Sequence, residues 1–317
     1  MTGLLGLVYK DAFSFHLNNL TGGPPRPGTK ETRMRLRTSW IIAVMISLLA
    51  VSAFAAPTNR CNTRLPSADT MAAIQQAINN ATVTTGRVTI PVWFHIIQGG
   101  KSARQGAVSD EAIAAQMDVL NDSYLGLTGG ANSDFAFELA GVTRTINKNW
   151  FENFALDFAV EAEAKRALKK GGSDTLNIYT LDGVFWLGWA YLPDVAVKDK
   201  YSYIDGVVVD WRTLPGGGID PYSDGDTATH EVGHWLSLLH TFDRGCSLLN
   251  DEVKDTPAVA EPNFVCLPGI DSCTGSRFPG TDAVENFMDY TEDFCMYAFT
   301  PGQVERMQKA WHALRAK

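Results

Sequence analysis

The sequence predicts an α+β fold, and three observations carry that expectation. From Arg87 to about Phe242, short runs of alternating apolar residues interleave with longer runs of helical spacing, the pattern of a mixed twisted sheet with helices packed on it. Past Phe242 the periodicity fades and four of the five cysteines gather, as in an irregular lobe held by cross-links. Where the two regimes meet stands the run His230 to His240, reading HEVGHWLSLLH.

Taken in order, residues 34–55 read as a secretory signal. Met34-Arg35-Leu36-Arg37 is a basic start, Ile41 to Ala50 is apolar, and Ala53-Phe54-Ala55 offers a small-residue cleavage site before Ala56. Even extended through Phe54, the apolar core is about 14 residues, short of the ~20 needed to span a bilayer. Residues 1–33 then precede the signal as a mis-assigned extension ahead of a true start at Met34, with an unusually long leader as the rival. Residues 56–86 suit a short pro-segment and linker, amphipathic from Ser67 to Ile78, and residues 87–317 the main folded domain.

Within that domain Val88 to Ile97 is β-branched and aromatic, a strand. Asp110 to Leu125 has helical spacing through Ile113, Met117, Leu120 and Tyr124. Phe135 to Thr145 reads as a strand, Leu156 to Leu168 as a helix, Leu176 to Leu181 as a strand, and Tyr203 to Trp211 as a further strand before the Gly216-Gly217-Gly218 loop. The motif helix follows. The chain closes with a helix started by a Thr300/Gln303 capping box and Pro301, whose apolar face is Val304, Met307, Trp311 and Leu314.

Charge excludes some partners. Residues 1–55 hold six of the 27 Lys/Arg and two of the 35 Asp/Glu, leaving 21 against 33, a net charge of −12. Such a surface has no electrostatic footprint for nucleic acid or anionic lipid. The sequons at Asn80 and Asn121 are acceptor sites for glycosylation in an exported chain.

The motif carries the chemistry. Two histidines four residues apart on a helix project from one face, so His230 and His234 can present imidazole nitrogens to one metal ion. Glu231 lies on the same turn, placed to hold a water without being a ligand. His240 follows His234 by six residues, about 240° around a continuing helix, so the chain must turn near Ser237 to bring it back. An HExxH alone also arises by chance on ordinary helices. Here three of the chain's six histidines fall within eleven residues.

The run-in Asp226-Thr227-Ala228-Thr229, Trp235, the exit His240-Thr241-Phe242, Asp255-Thr256-Pro257, Asn286-Phe287-Met288-Asp289-Tyr290 and Phe299-Thr300-Pro301-Gly302-Gln303 together resemble the pappalysin family of metzincin zinc endopeptidases. The resemblance runs from about Val88 to Leu314 and is most specific after Asp205. It implies a two-lobed zincin: a twisted sheet with helices above the cleft, and a disulfide-linked lower lobe with the C-terminal helix. It also implies a secreted, monomeric enzyme acting on protein or peptide substrates, with neither nucleic acid nor membrane as partner.

By the same resemblance His230, His234 and His240 are the zinc ligands, Glu231 the general base for a zinc-activated water, Tyr290 a donor to the developing oxyanion, and Met288 the floor beneath the metal. Cys61, within Arg60-Cys61-Asn62-Thr63, matches a zymogen switch. Three pairings of the four clustered cysteines are open from the residues; a second zinc site is the competing reading, though no CxxC pair is present. The family spacing favours Cys246 with Cys273 and Cys266 with Cys295. Asp293 matches an acidic residue under the side chain after the scissile bond, which implies cleavage before Arg or Lys, a solvated loop residue being the alternative. Asp251, Asp255 and Thr256 match a calcium loop, an acidic turn being the alternative. A strand at the cleft edge should bind substrate, with Tyr203 to Trp211 or Trp189 to Leu192 as candidates. Two departures stand out: Ser237 and Asn62 occupy positions where the family carries glycine. A left-handed serine costs about 1 kcal/mol relative to glycine. The competing function is an extracellular zinc-binding protein with little hydrolytic activity.

Overall fold

The structure, a computed structural model, describes residues 59–83, 86–196 and 200–316. The expectations for residues 1–33, the signal 34–55 and the first residues of the pro-segment fall outside them. The frame is one six-stranded sheet of β1 (Asn59–Cys61), β2 (Val88–Gln98), β3 (Phe135–Ile146), β4 (Leu176–Leu181), β5 (Trp186–Ala190) and β6 (Val207–Asp210), in the order β1-β5-β6-β4-β2-β3. β3, β2, β4 and β6 run parallel; β5 is antiparallel to β6, and β1 adds to β5 in parallel. β4 and β6 are buried at every position, their polar residues Asn177, Thr180 and Asp210 included.

The two-residue alternation of the strands divides the core. Ile90, Val92, Phe94 and Ile96 of β2, with Ile178 of β4 and Val207 and Val209 of β6, face α2 (Asp110–Tyr124) and α5 (Asp226–Trp235). Ile97, Tyr179, Leu181 and Val208 face the other way, with Trp150 and Phe151 of α3 (Lys148–Asn153) and Ala164 of α4 (Phe158–Leu168). On that second face His95 is fully buried between Thr143 Oγ1 (2.8 Å) and Asn177 Oδ1 (2.9 Å). The helices begin where oxygen-bearing side chains can accept from the first turn: Ser67 for α1 (Ala68–Asn80), Ser109 for α2, Asn147 for α3 and Asp157 for α4. Among the described residues no helix is long and apolar enough to cross a membrane.

Several expectations need correction. Tyr203 to Trp211 is not one strand: Ser202–Ile204 forms a 3₁₀ turn and only Val207–Asp210 is extended. That strand is also interior, between β5 and β4, so it cannot be the substrate edge; the edge strand is β5, covered by β1. The helix expected from Leu156 starts at Phe158, because Asp157 caps it, and α3 precedes it. Asn121 is no free acceptor: its side chain donates to Met117 O and Phe137 O and accepts from Phe137 N, pinning α2 to β3. Asn80 is exposed at the end of α1.

Below the motif the chain has little regular structure before α6 (Pro301–Ala310). Cys246 joins Cys273 and Cys266 joins Cys295. Polar side chains supply the remaining order. Asp289 accepts from Asn263 N and Nδ2 and from Tyr290 N, and the amides of Asn286 and Gln303 pair reciprocally at 2.8 and 3.0 Å. α6 carries the Thr300/Gln303 capping box with Pro301 in its first turn.

Candidate metal centre

α5 positions His230, Glu231 and His234, all buried. It ends in a Schellman turn, with Leu238 N–H donating to Gly233 O (2.9 Å) and Ser237 N–H to His234 O (2.8 Å). Ser237 sits at φ 79°, the left-handed position that glycine favours, so serine is strained there. Arg306 Nε donates to Ser237 O at 2.8 Å and helps hold the turn. Reversed by this turn, the chain returns His240 to the cluster, 2.9 Å from His234 between their Nε2 atoms.

Each imidazole is oriented through its other nitrogen. His230 Nδ1–H donates to Phe287 O (2.6 Å), His234 Nδ1–H to Leu238 O (2.8 Å) and His240 Nδ1–H to Asp243 Oδ1 (2.9 Å). With Nδ1 committed as donor, a neutral ring has its lone pair on Nε2. Burial holds His230 well below the usual histidine range and His234 at about 3, with the neighbouring imidazoles pushing the same way. His230 Nε2 is buried without a hydrogen-bond partner. Three inward-facing lone pairs are what a divalent cation requires, and ligand atoms of Cys61, His230, His234 and His240 lie within 4.8 Å of one another. The donor set fits zinc.

Glu231 is pushed up to about 8 by burial, opposed by the Cys61 and Thr63 hydrogen bonds and by Arg60. Its Oε2 accepts from Thr63 Oγ1 at 3.0 Å and lies 3.5 Å from Cys61 Sγ. Burial and the charge of Glu231 raise the Cys61 thiol in turn. The Tyr290 hydroxyl lies 3.2 Å from His240 Nε2 and donates to Cys61 O at 3.4 Å. Met288 lies under α5, where a Cβ on Gly233 would come within 2.5 Å of its sulfur.

Cys61 arrives on β1. Asn59 N–H donates to Phe185 O and Asn62 N–H to Gly188 O, while Ala190 N–H donates to Thr63 Oγ1 at 2.8 Å. One residue before Cys61, Arg60 is buried against Asp293, with Nη2 3.0 Å from Oδ1; it also donates to Thr291 O and lies over the Tyr222 ring. The other Asp293 oxygen accepts from Asp224 N and Asp226 N at the start of α5. Burial raises the Asp293 carboxyl and Arg60 opposes the shift.

The calcium-loop residues are not among the metal-facing group, and they divide. Asp251 and Thr256 are buried in their own loop, where Asp251 Oδ2, Thr256 Oγ1 and Asn250 Oδ1 lack hydrogen-bond partners. Burial pushes Asp251 up to about 7. Asp255 turns away, accepting from Thr300 Oγ1 and Gly302 N of α6. Three contributors were not apparent in the sequence. Asp243 orients His240, and its one signal is a carboxylate three residues after a candidate ligand. Gly188 leaves room for Glu231, whose Cγ would stand 2.9 Å from a Cβ there. Thr63 bonds Glu231.

Residues 217–312 match a family profile described as Pregnancy-associated plasma protein-A, Peptidase_M43. An extracellular metalloprotease of Verticillium alfalfae is 35% identical over 293 residues, covering 90% of this chain and all of the relative. Extracellular metalloprotease 1 of Coccidioides posadasii is 40% identical over 231 residues, 72% of this chain and 79% of the relative. Among solved structures, a Tannerella forsythia promirolysin mutant aligns with TM-score 0.68 at 27% identity, over 81% of this chain and 96% of its own. Mature mirolysin from the same organism, in complex with a cleaved peptide, aligns with TM-score 0.59 at 29% identity, over 74% of this chain and all of its own.

Proposed function

The chain belongs to the Peptidase_M43 (pappalysin) family of metalloendopeptidases and acts on protein or peptide substrates; from that premise we propose a secreted zinc peptidase, exported behind residues 34–55 and made as a zymogen, with 56–86 as pro-segment and 87–317 as catalytic domain. The observation that carries the reading is the convergence of three Nε2 lone pairs beside a buried carboxylate. His230, His234 and His240 would hold the zinc. The chemistry a bound zinc supplies is Lewis acidity toward a peptide carbonyl and toward water.

The other steps belong to the chain's own residues. Glu231 takes a proton from the attacking water, at the Oε2 now held by Thr63, and passes it to the leaving amine. Tyr290 donates its hydroxyl to the carbonyl oxygen as charge develops there; the Cys61 carbonyl stands in for that oxygen in the zymogen. The substrate main chain adds to the β5 edge, through Gly188 O and Ala190 N–H. Met288 packs the floor, and Asp243 holds His240 in place.

Latency then has two latches. Cys61 presents its sulfur to the histidine cluster, and the Thr63 hydroxyl engages both Glu231 and Ala190 N–H. Arg60 in the Asp293 pocket supports a preference for Arg or Lys after the scissile bond, since an unpaired carboxylate buried there is costly. The partnerless oxygens of Asp251 and Thr256, with Asn250 in place of Asp255, support a calcium site. A calcium-dependent rise in melting temperature, abolished in Asp251→Asn, is the expected result; no calcium response in the wild type would remove that site.

The central test is hydrolysis of a peptide library by the activated chain. A chelator should abolish cleavage and zinc should restore it, and Glu231→Gln should retain zinc while losing about 10²- to 10⁴-fold in kcat/KM. Cleavage should favour Arg or Lys after the bond, and Asp293→Ala should erase that preference. In the unprocessed chain Cys61→Ala should relieve latency in part, and Cys61→Ala with Thr63→Val more fully. A Glu231→Gln enzyme of near wild-type rate would refute the mechanism.

A further inference from the structure

The pro-segment strand crosses the site in a fixed order: Arg60 at Asp293, Cys61 at the histidines, then Asn62 and Arg64 along a cavity of about 280 Å³ that the reaction does not use. The far wall of that cavity comes from the start of α4 and the end of β5: Leu156, Phe158, Glu161, Trp189 and Tyr191. Leu156 and Phe158 are 57% and 59% exposed, adjacent apolar side chains left in solvent beside the strand edge. Asn62 and Arg64 close the cavity on the cleft side, so their departure with the pro-segment opens it to any chain lying along β5.

The one charged group of the far wall is fully engaged. Glu161 accepts from Trp189 Nε1 (3.2 Å) and Tyr191 OH (3.0 Å) and pairs with the buried Lys165 at 2.9 Å. Lys165 also donates to Ile204 O at 2.8 Å and lies over the Tyr191 ring. The pair leaves no uncompensated charge to draw a basic side chain; apart from Glu161 the far wall is built from Phe154, Leu156, Phe158 and the rings of Trp189 and Tyr191, while Asn62 and Arg64 of the pro-segment supply polar groups on the other side. This is the reverse of the Asp293 pocket, where the carboxylate takes a guanidinium.

We infer that the cavity between the start of α4 and the end of β5 is a second specificity subsite, which takes a large apolar side chain one or two positions before the scissile bond. The assignment rests on the proposed binding of substrate along β5 with the Asp293 pocket receiving the residue after the bond. Both pockets flank the metal-facing Cys61, so they must read opposite sides of the bond.

The test uses activated chain and peptides with Arg fixed after the bond, while the two preceding positions are varied among Phe, Leu, Gly, Asp and Arg. At one of those positions kcat/KM for Phe or Leu should exceed that for Gly by on the order of tenfold. In the Leu156→Ser/Phe158→Ser double variant, altered at two exposed positions, that ratio should fall toward one. Three results would overturn the subsite: no discrimination in the wild type, discrimination unchanged by the double variant, or a preference for Arg before the bond. Apolar selectivity appearing only after the bond would overturn the orientation and the subsite with it. Loss of the Arg preference after the bond, with the apolar ratio intact, would remove the Asp293 reading and leave this one standing.

Discussion

The two halves of the site are held by different means. Above the metal, α5 packs on a sheet whose inner strands β4 and β6 are buried on both faces, so His230 and Glu231 are placed by helix periodicity and strand register. Below it, Met288, Tyr290 and Asp293 sit on loops fixed by two disulfides, buried carboxylates and an amide pair. The upper half draws its order from repeated backbone geometry and the lower half from individual cross-links. Perturbing one cross-link should therefore disturb the lower half far more than one surface change disturbs the upper.

The largest expected effect sharpens that contrast. Replacing Cys246 and Cys273 together by serine should cost ~2–4 kcal/mol in denaturant unfolding. Peptide cleavage should weaken at denaturant concentrations where far-ultraviolet circular dichroism of the sheet and helices is unchanged. Loss of both signals together would mean that the halves unfold as one and that the contrast is only geometric.

One pH effect should come from the upper half. His95 donates Nε2–H to Asn177 and accepts from Thr143, and burial lowers it to about 4. The folded pKa lies below the unfolded value, so the unfolded chain takes up the proton first as pH falls. The associated stability is whole above about pH 6.5, declines between 6.5 and 4 and is gone below, a loss of about 3 kcal/mol. Urea unfolding of wild type and His95→Asn at about pH 7 and about pH 4 isolates the contribution, because the difference between them should shrink by roughly that amount. Parallel curves would show that burial does not lower His95 in the folded state.

The smallest effect lies at the junction. Ser237→Gly should relieve the left-handed turn and stabilise the chain by about 1 kcal/mol, leaving activity unchanged or raised. A loss of activity would mean that the serine hydroxyl, buried and without a hydrogen-bond partner, has a role in holding His240.

Much of this was legible in the sequence for reasons the structure makes plain. The helical spacing of α2, the Thr300 cap and the turn at Ser237 all depend on local spacing or on one residue's conformational cost. β1 was not legible, because three residues become a strand only where β5 offers them an edge. β5 was seen only as a neighbouring segment, since Trp186-Leu187-Gly188-Trp189-Ala190 lacks a clean alternation and carries a central glycine. The bond from Thr63 to Glu231 joins residues 168 apart, and no local pattern encodes such a contact.

Covering β5 also bears on solubility. With β1 in place, Phe185 O and Gly188 O accept from the main-chain amides of Asn59 and Asn62, and Ala190 N–H is satisfied by Thr63. Once β1 leaves, these groups form a bare sheet edge flanked by Phe185, itself 53% exposed. Such an edge is a template for pairing with another copy. β1 thus shields that edge, and on the activation proposed above self-association and substrate would compete for the same hydrogen bonds. Abundant peptide should therefore keep the working enzyme dispersed, and its depletion should favour clumping.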